Sequence, residues 1–109
     1  GFFMLPEIVI THEEAKMLRS FTLQDGFTTF GRFLDSEICM DDPSVSRDHG
    51  AFSFRRGVLM IEDHDSSNGI LMNGIKIKRK VLHDGDRLTV GSFEIHVKRG
   101  TVADGGQGR

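Results

Sequence analysis

Three short segments carry side chains that could do chemistry together: Gly31-Arg32, Ser44-Val45-Ser46-Arg47-Asp48-His49 and Asp65-Ser66-Ser67-Asn68-Gly69. Arg32 and Arg47 offer planar guanidinium forks that match phosphate oxygens. Ser46 and Ser67 offer hydroxyl donors. Asn68 offers an amide that donates and accepts, which suits an extended peptide backbone. A phosphate monoester brings about −1.5 to −2 charges and three acceptor oxygens, so several donors must act together. Each charge-assisted hydrogen bond contributes about 1.5–3 kcal/mol net. Three or four of them, less the cost of ordering a peptide, give a useful but modest affinity. Taken singly, each segment has a plainer reading. Arg32 is a surface arginine, Ser66-Ser67-Asn68 is a turn bonded to its own backbone, and His49 is a hydrogen-bonded structural histidine. Only convergence of the three makes an anion site.

Other chemistries do not assemble. Asp63-His64-Asp65-Ser66-Ser67 starts like a calcium loop, but the sixth position is Asn68 and the twelfth is Gly74, so the turn glycine and bidentate glutamate are missing. Gly69 to Gly74 has the glycine spacing of a phosphate-binding loop, but Lys76 falls one residue late and no Ser or Thr follows it. His12-Glu13 opens a zinc-protease motif that Lys16 breaks. The five histidines include no close pair at metal-ligand spacing, and no acid–base pair for hydrolysis emerges. The expectation is therefore no enzyme, no metal and no cofactor. In Ile75-Lys76-Ile77-Lys78-Arg79-Lys80 the alternation puts Lys76, Lys78 and Lys80 on one strand face, read as solvated. No aromatic interleaves with them to stack a base. The net charge of −2 lacks the basic excess of nucleic-acid binders, so no nucleic acid is expected.

The loops need a frame, and the rest of the chain reads as one made of strands. Asp25-Gly26, Arg56-Gly57, Asn68-Gly69, Asn73-Gly74, Asp84-Gly85 and Gly91-Ser92 punctuate it with turn signals. Between them, Phe93 to Val97 alternates apolar and polar residues, and Phe52 and Phe54 alternate with Ala51, Ser53 and Arg55. Glu7 to Thr11 and Val58 to Ile61 are near-continuous apolar runs, expected as strands shielded on both faces. His12 to Leu18 has helical composition but only about two turns of length and no apolar stripe, so it is expected as a loop or single turn. Many short strands with regular turns point to an all-β sandwich or barrel. Sandwich loops cluster at the ends of the sheets, which is how segments distant in sequence could converge.

At 109 residues the chain is long enough for one domain with a modest core, expected over 1–99. Residues 100–109 are Gly-rich and read as a flexible tail, which favours a piece of a larger protein. The 9 Phe residues, without Trp or Tyr, must supply the aromatic core. The single cysteine, Cys39, cannot form an internal disulfide and is expected to pack as a small apolar side chain, which fits a reducing compartment. No segment approaches the ~20 apolar residues of a membrane helix. Gly1 to Leu5 is apolar but lacks a basic leader, so it does not read as a signal peptide, and Met4 is a candidate natural start.

Gly31-Arg32, Ser46-Arg47-Asp48-His49, Ser66-Ser67-Asn68-Gly69, Asn73-Gly74, Asp84-Gly85-Asp86 and Val90-Gly91, in that order and spacing, closely resemble the signature of the forkhead-associated domain family. The resemblance covers about residues 27 to 97. It implies a β-sandwich of about eleven strands in two antiparallel or mixed sheets, reading phosphothreonine through loops at one end with an Arg cluster. By motif, Arg32 and Ser46 would contact the phosphate, and Arg47 the phosphate or the peptide backbone. Ser67 would line the phosphothreonine pocket and Asn68 would bond the peptide main chain. Gly31, His49 and Gly69 would be architectural, with His49 tying the loops together, and Asn73 would belong to a structural turn.

Two departures stand out. Ile70 replaces a frequent threonine, and Gly50 replaces a common alanine. Ser44 occupies a position where some members carry a basic residue that selects an acidic side chain three residues after the phosphothreonine; with Ser44 that preference is not implied. The resemblance thus implies a phosphothreonine-dependent binding module acting downstream of a Ser/Thr kinase, cytoplasmic, or nuclear if the source is eukaryotic, with no membrane insertion. The alternative on the same fold is a phosphate-independent docking or oligomerisation unit, disfavoured by the intact set Arg32, Ser46, Ser67 and Asn68.

Overall fold

Alternation along the chain becomes alternation of side chains between a core and a solvent face. In a computed structural model describing residues 4–101, the strands are β1 (Glu7–His12), β2 (Met17–Thr22), β3 (Gly26–Gly31), β4 (Ile38–Cys39), β5 (Gly50–Arg55), β6 (Val58–Asp63), β7 (Ile70–Met72), β8 (Ile75–Ile77), β9 (Arg79–Val81), β10 (Arg87–Val90) and β11 (Phe93–Arg99). They form a six-stranded sheet, β2-β1-β11-β10-β7-β8, facing a five-stranded sheet, β4-β3-β5-β6-β9. Every pairing between strands is antiparallel except β3 with β4, so the sandwich is mixed, as expected. No helix occurs among the described residues, and so none is long and apolar enough to cross a membrane.

The core lies between the sheets. Ile8, Ile10, Leu88, Val90, Ile95 and Val97 fill it from one side, and Phe30, Phe52, Phe54, Leu59 and Ile61 from the other. Burying each such side chain contributes about 1.5–3 kcal/mol. Phe30 is the part of this core that matters most for the loops. It is fully buried at the end of β3, tilted against Phe52 at 5.3 Å and stacked on His49 of the 44–49 loop.

Several expectations need correction. Residues 7–11 have restricted solvent access on both faces, since β1 alternates between half-buried and buried, but residues 58–61 do not, since Val58 is exposed. Ala51 alternates with the core residues Phe52 and Phe54 as expected, yet it is buried on its own face of the sheet. The His12–Leu18 loop is shorter than its composition suggests. His12 already pairs with Met17, leaving only residues 13–16 as a turn, with Lys16 at φ 53°. The basic run of residues 75–80 does not form one strand face. It divides between β8 in one sheet and β9 in the other, around Lys78, whose carbonyl accepts the Asp63 N–H at 2.8 Å. Gly100 and Thr101 belong to the sandwich: the Thr101 N–H donates to Leu82 at 2.7 Å, and its hydroxyl joins both backbone groups of Leu59. The rest of the expected tail, and the three residues before Met4, lie outside the described residues. Cys39 is half-buried in β4, with its thiol 3.7 Å from the Arg32 carbonyl oxygen.

Candidate functional site

The site starts at the end of β3, where the chain must pass close to another loop. A methyl group on Gly31 would lie 2.2 Å from the Arg47 carbonyl oxygen and 3.0 Å from the His49 nitrogen. Only glycine permits that approach. Around this crossing the backbone is bonded on each side: Arg32 N–H to the Ser46 carbonyl at 3.0 Å, Phe33 N–H to Arg47 at 3.2 Å, and His49 N–H to Phe30 at 3.1 Å. Val45, buried in the core, anchors the same loop from below. The segments 31–33 and 44–49 therefore behave as one piece.

His49 joins the third segment to them. Its imidazole is fully buried and stacks on Phe30, with centroids 5.9 Å apart and planes 27° apart. Nδ1 accepts the Ser46 N–H at 3.1 Å, so the ring proton sits on Nε2 and is donated to the Gly69 carbonyl at 2.9 Å. Gly69 itself takes φ +77°, a conformation suited to glycine. The 65–69 loop is closed internally by Asp63, which accepts from the Ser66 N–H and hydroxyl, while Ser66 Oγ accepts the Gly69 N–H at 2.9 Å.

The donors then face a shared opening of about 490 Å³, lined by Arg32, Ser46, Arg47, Ser67 and Asn68 together with Phe33 and others. Arg32 uses Nε on the Val45 carbonyl at 2.9 Å, which fixes the guanidinium plane and leaves its two terminal nitrogens for a ligand. Ser46 Oγ accepts the Ser67 N–H at 2.9 Å, so its own proton remains to be donated. Arg47 stands with its guanidinium carbon 5.7 Å from the centroid of the Phe33 ring. The Asn68 amide donates to the Ser44 carbonyl at 2.8 Å, which leaves Oδ1 and one N–H outward.

Negative charge at this end is compensated. Asp48 lines the opening, but its carboxylate bonds His64 Nδ1 at 2.8 Å, while His64 Nε2 meets Glu62 at 2.9 Å. The hydrogen bond to Asp48, seconded by Glu62, raises the His64 pKa above its ordinary 6.5 against the cost of burial. The exposed Lys78 ammonium, 2.8 Å from Asp65, lowers the Asp65 pKa and has its own raised in return. The two arginines are thus the charges presented to a ligand. Among the described residues, no group of three or more His, Cys, Asp or Glu side chains is placed to hold a metal ion.

The FHA domain family model matches residues 28–91, more than half of the chain. The chain belongs to the FHA domain family. It is 34% identical over 84 residues to the glycogen accumulation regulator GarA of Mycolicibacterium smegmatis, covering 77% of this chain and 53% of that protein. It is 35% identical over 83 residues to the oxoglutarate dehydrogenase inhibitor of Corynebacterium efficiens, covering 76% of this chain and 58% of that protein. The chain thus spans about half the length of these relatives. Among solved structures, an FHA domain from a study of phosphothreonine-dependent FHA interactions superposes with a TM-score of 0.75 at 26% identity, covering 88% of this chain and 99% of that one. Mycobacterium tuberculosis EmbR, solved with a low-affinity phosphopeptide, superposes with a TM-score of 0.74 at 26% identity, covering 89% of this chain and 25% of that one.

Within this FHA domain, Arg32, Ser46, Arg47, Ser67 and Asn68 are brought together, with Gly31, His49 and Gly69 beneath them. Asn73 is not. It sits at φ 54° in the β7–β8 turn, at the far end of that hairpin from Gly69. The two departures have local reasons. A methyl on Gly50 would lie 2.3 Å from the Glu62 carbonyl and 2.8 Å from the Phe30 ring, so alanine has no room here. Ile70 is a fully buried core residue. Sequence reasoning missed Phe33, 47% exposed beside the arginines, although an aromatic directly after Gly-Arg in a polar loop was a signal. It also missed the engagement of Ser44, signalled by Asp42 two residues before it, and His64, whose partner Asp48 no local spacing reveals.

Proposed function

We propose that this FHA domain is a phosphothreonine-dependent peptide-binding module that reads the output of a Ser/Thr kinase in the cytoplasm and catalyses nothing. The observation that carries the reading is the convergence of two arginines and the Ser46 hydroxyl on one opening, with Arg32 fixed through Nε and Ser46 Oγ already accepting from Ser67, so that their free donors face it. A divalent anion with three acceptor oxygens matches that set better than a neutral ligand. Arg32 and Ser46 bind the phosphate, Arg47 adds charge beside it, Ser67 lines the pocket, and Asn68 bonds the peptide main chain. The docking alternative leaves those donors unused. GarA is named as a regulator and the Corynebacterium relative as an inhibitor, and a role in regulating a protein partner supports the same reading.

The test is titration of the domain against a library of phosphothreonine peptides, their phosphoserine counterparts and unphosphorylated controls. Binding that requires the phosphate and favours threonine is expected. Equal binding of phosphorylated and unphosphorylated peptides would leave the docking alternative in its place.

A further inference from the structure

One hydrogen-bonded chain runs from the end of β1, in the six-stranded sheet, to the peptide-reading amide, and part of it lies outside the matched family span. Its first member is His12, at the end of β1. His12 is nearly buried, edge-on to Phe93 with centroids 4.8 Å apart. Its Nδ1 accepts the Ala15 N–H at 3.1 Å, so the ring proton is on Nε2, which donates to Asp42 Oδ1 at 3.1 Å. The other carboxylate oxygen of Asp42 accepts both the N–H of Ser44, at 2.9 Å, and its hydroxyl. Ser44 Oγ in turn accepts the Ser92 N–H at 2.9 Å. Gly91 packs so tightly there that a methyl on it would lie 2.3 Å from Ser44 Oγ. The last link is the Ser44 carbonyl, which accepts the Asn68 amide at 2.8 Å.

We propose that Asp42, braced by His12, is a positioning residue for Asn68: by fixing Ser44 it fixes the carbonyl that orients the peptide-reading amide. The inference rests on the phosphopeptide reading given above. Asn68 is exposed, and an exposed amide has rotamers to lose. One bond to a rigid carbonyl sets its plane and turns Oδ1 and the second N–H toward the ligand. Ser44 has no rotational freedom to spare, because its N–H, its hydroxyl proton and its hydroxyl oxygen are all engaged. The Ser44 bonds also hold the Asp42 carboxyl at about 2, so it stays charged throughout the working range of pH.

The test compares two ligands on the parent and on Asp42→Ala, Ser44→Ala, His12→Phe and Asn68→Ala: a phosphothreonine peptide, and free phosphothreonine, which has no flanking chain for Asn68 to read. Asp42→Ala and Ser44→Ala are expected to weaken the peptide about fivefold to tenfold, the value of one oriented hydrogen bond, and to leave free phosphothreonine nearly unchanged. Added to Asn68→Ala, either is expected to cost the peptide nothing more. Should Asp42→Ala unfold, Ser44→Ala keeps the carbonyl and the comparison. Nuclear magnetic resonance relaxation of the Asn68 side-chain amide, ordered in the parent and mobile in His12→Phe, which keeps a ring against Phe93 but has no donor for Asp42, gives a second readout. Equal losses for both ligands, or losses that add to Asn68→Ala, would overturn the positioning role. A parent that binds no phosphopeptide would overturn the functional reading itself, and this proposal with it.

Discussion

Gly31→Ala tests whether the close crossing of the two loops holds the site together. The added methyl would sit 2.2 Å from the Arg47 carbonyl oxygen, more than 1 Å inside ordinary contact. Neither partner is a flexible side-chain end, so backbone must move. The crossing is bracketed by Arg32 N–H to Ser46 at 3.0 Å and Phe33 N–H to Arg47 at 3.2 Å. Opening it by about 1 Å stretches both beyond hydrogen-bonding range. Each bond contributes about 0.5–1.5 kcal/mol, and forcing bulk into a packed site costs about 1–3 kcal/mol. Together these amount to roughly 2–6 kcal/mol, which in a domain of this size lowers the melting temperature by on the order of 10 °C or more. The movement also separates Arg32 from Ser46 and Arg47, so phosphopeptide affinity falls with stability. Thermal denaturation and calorimetric titration measure the two effects. A variant that melts within 2 °C of the parent (roughly the effect of half a kcal/mol) and binds as tightly would refute the argument.

Two further outcomes follow from the histidines. His49→Ala leaves the Ser46 N–H and the Gly69 carbonyl without their partner and opens a cavity on Phe30, so a loss of about 3–5 kcal/mol is expected in urea unfolding; a loss below about 1 kcal/mol would show that the loops hold without it. His64 has its pKa raised above 6.5 by Asp48 and Glu62, so the stability it contributes is complete below 6.5 and is lost as pH rises through the raised value. The melting temperature of the parent is therefore expected to fall over that window more than that of His64→Gln, and parallel curves would remove His64 from the account.

Much of this architecture was legible because it rests on local rules. Asn73-Gly74 and Arg56-Gly57 both take positive φ in two-residue hairpin turns. The alternation of Phe93 to Val97 marks β11 with its inward face toward the core. The residues proposed to read the phosphate were legible as types, since few other chemistries need two guanidinium groups beside two serines and an asparagine. What stayed hidden depends on pairing between distant segments. Nothing local divides residues 75–80 between two sheets; the division follows from β8 pairing with β7 and β9 with β6. Thr101 reads as tail until Leu59 and Leu82 supply its partners. His64 reads as a loop histidine until the fold brings Asp48 against it. The demand for glycine at position 50 arises from the Phe30 ring and the Glu62 carbonyl, neither adjacent in sequence.

The central claim is that Arg32 recognises a phosphate and does not merely support the loop. Its only bond to the protein through the guanidinium, among the described residues, is from Nε to the Val45 carbonyl. Losing that bond costs about 1 kcal/mol of stability, whereas losing a charge-assisted bond to phosphate costs about 1.5–3 kcal/mol of binding, or roughly tenfold to a hundredfold in affinity. The decisive measurement is the affinity of Arg32→Ala and the parent for one phosphothreonine peptide and its unphosphorylated form, with melting curves on both proteins. The account expects phosphate-dependent binding by the parent, its collapse in the variant, and a melting temperature lowered by only about 4–8 °C, the effect of the one lost bond. Phosphopeptide binding that survives in a folded Arg32→Ala variant would contradict it.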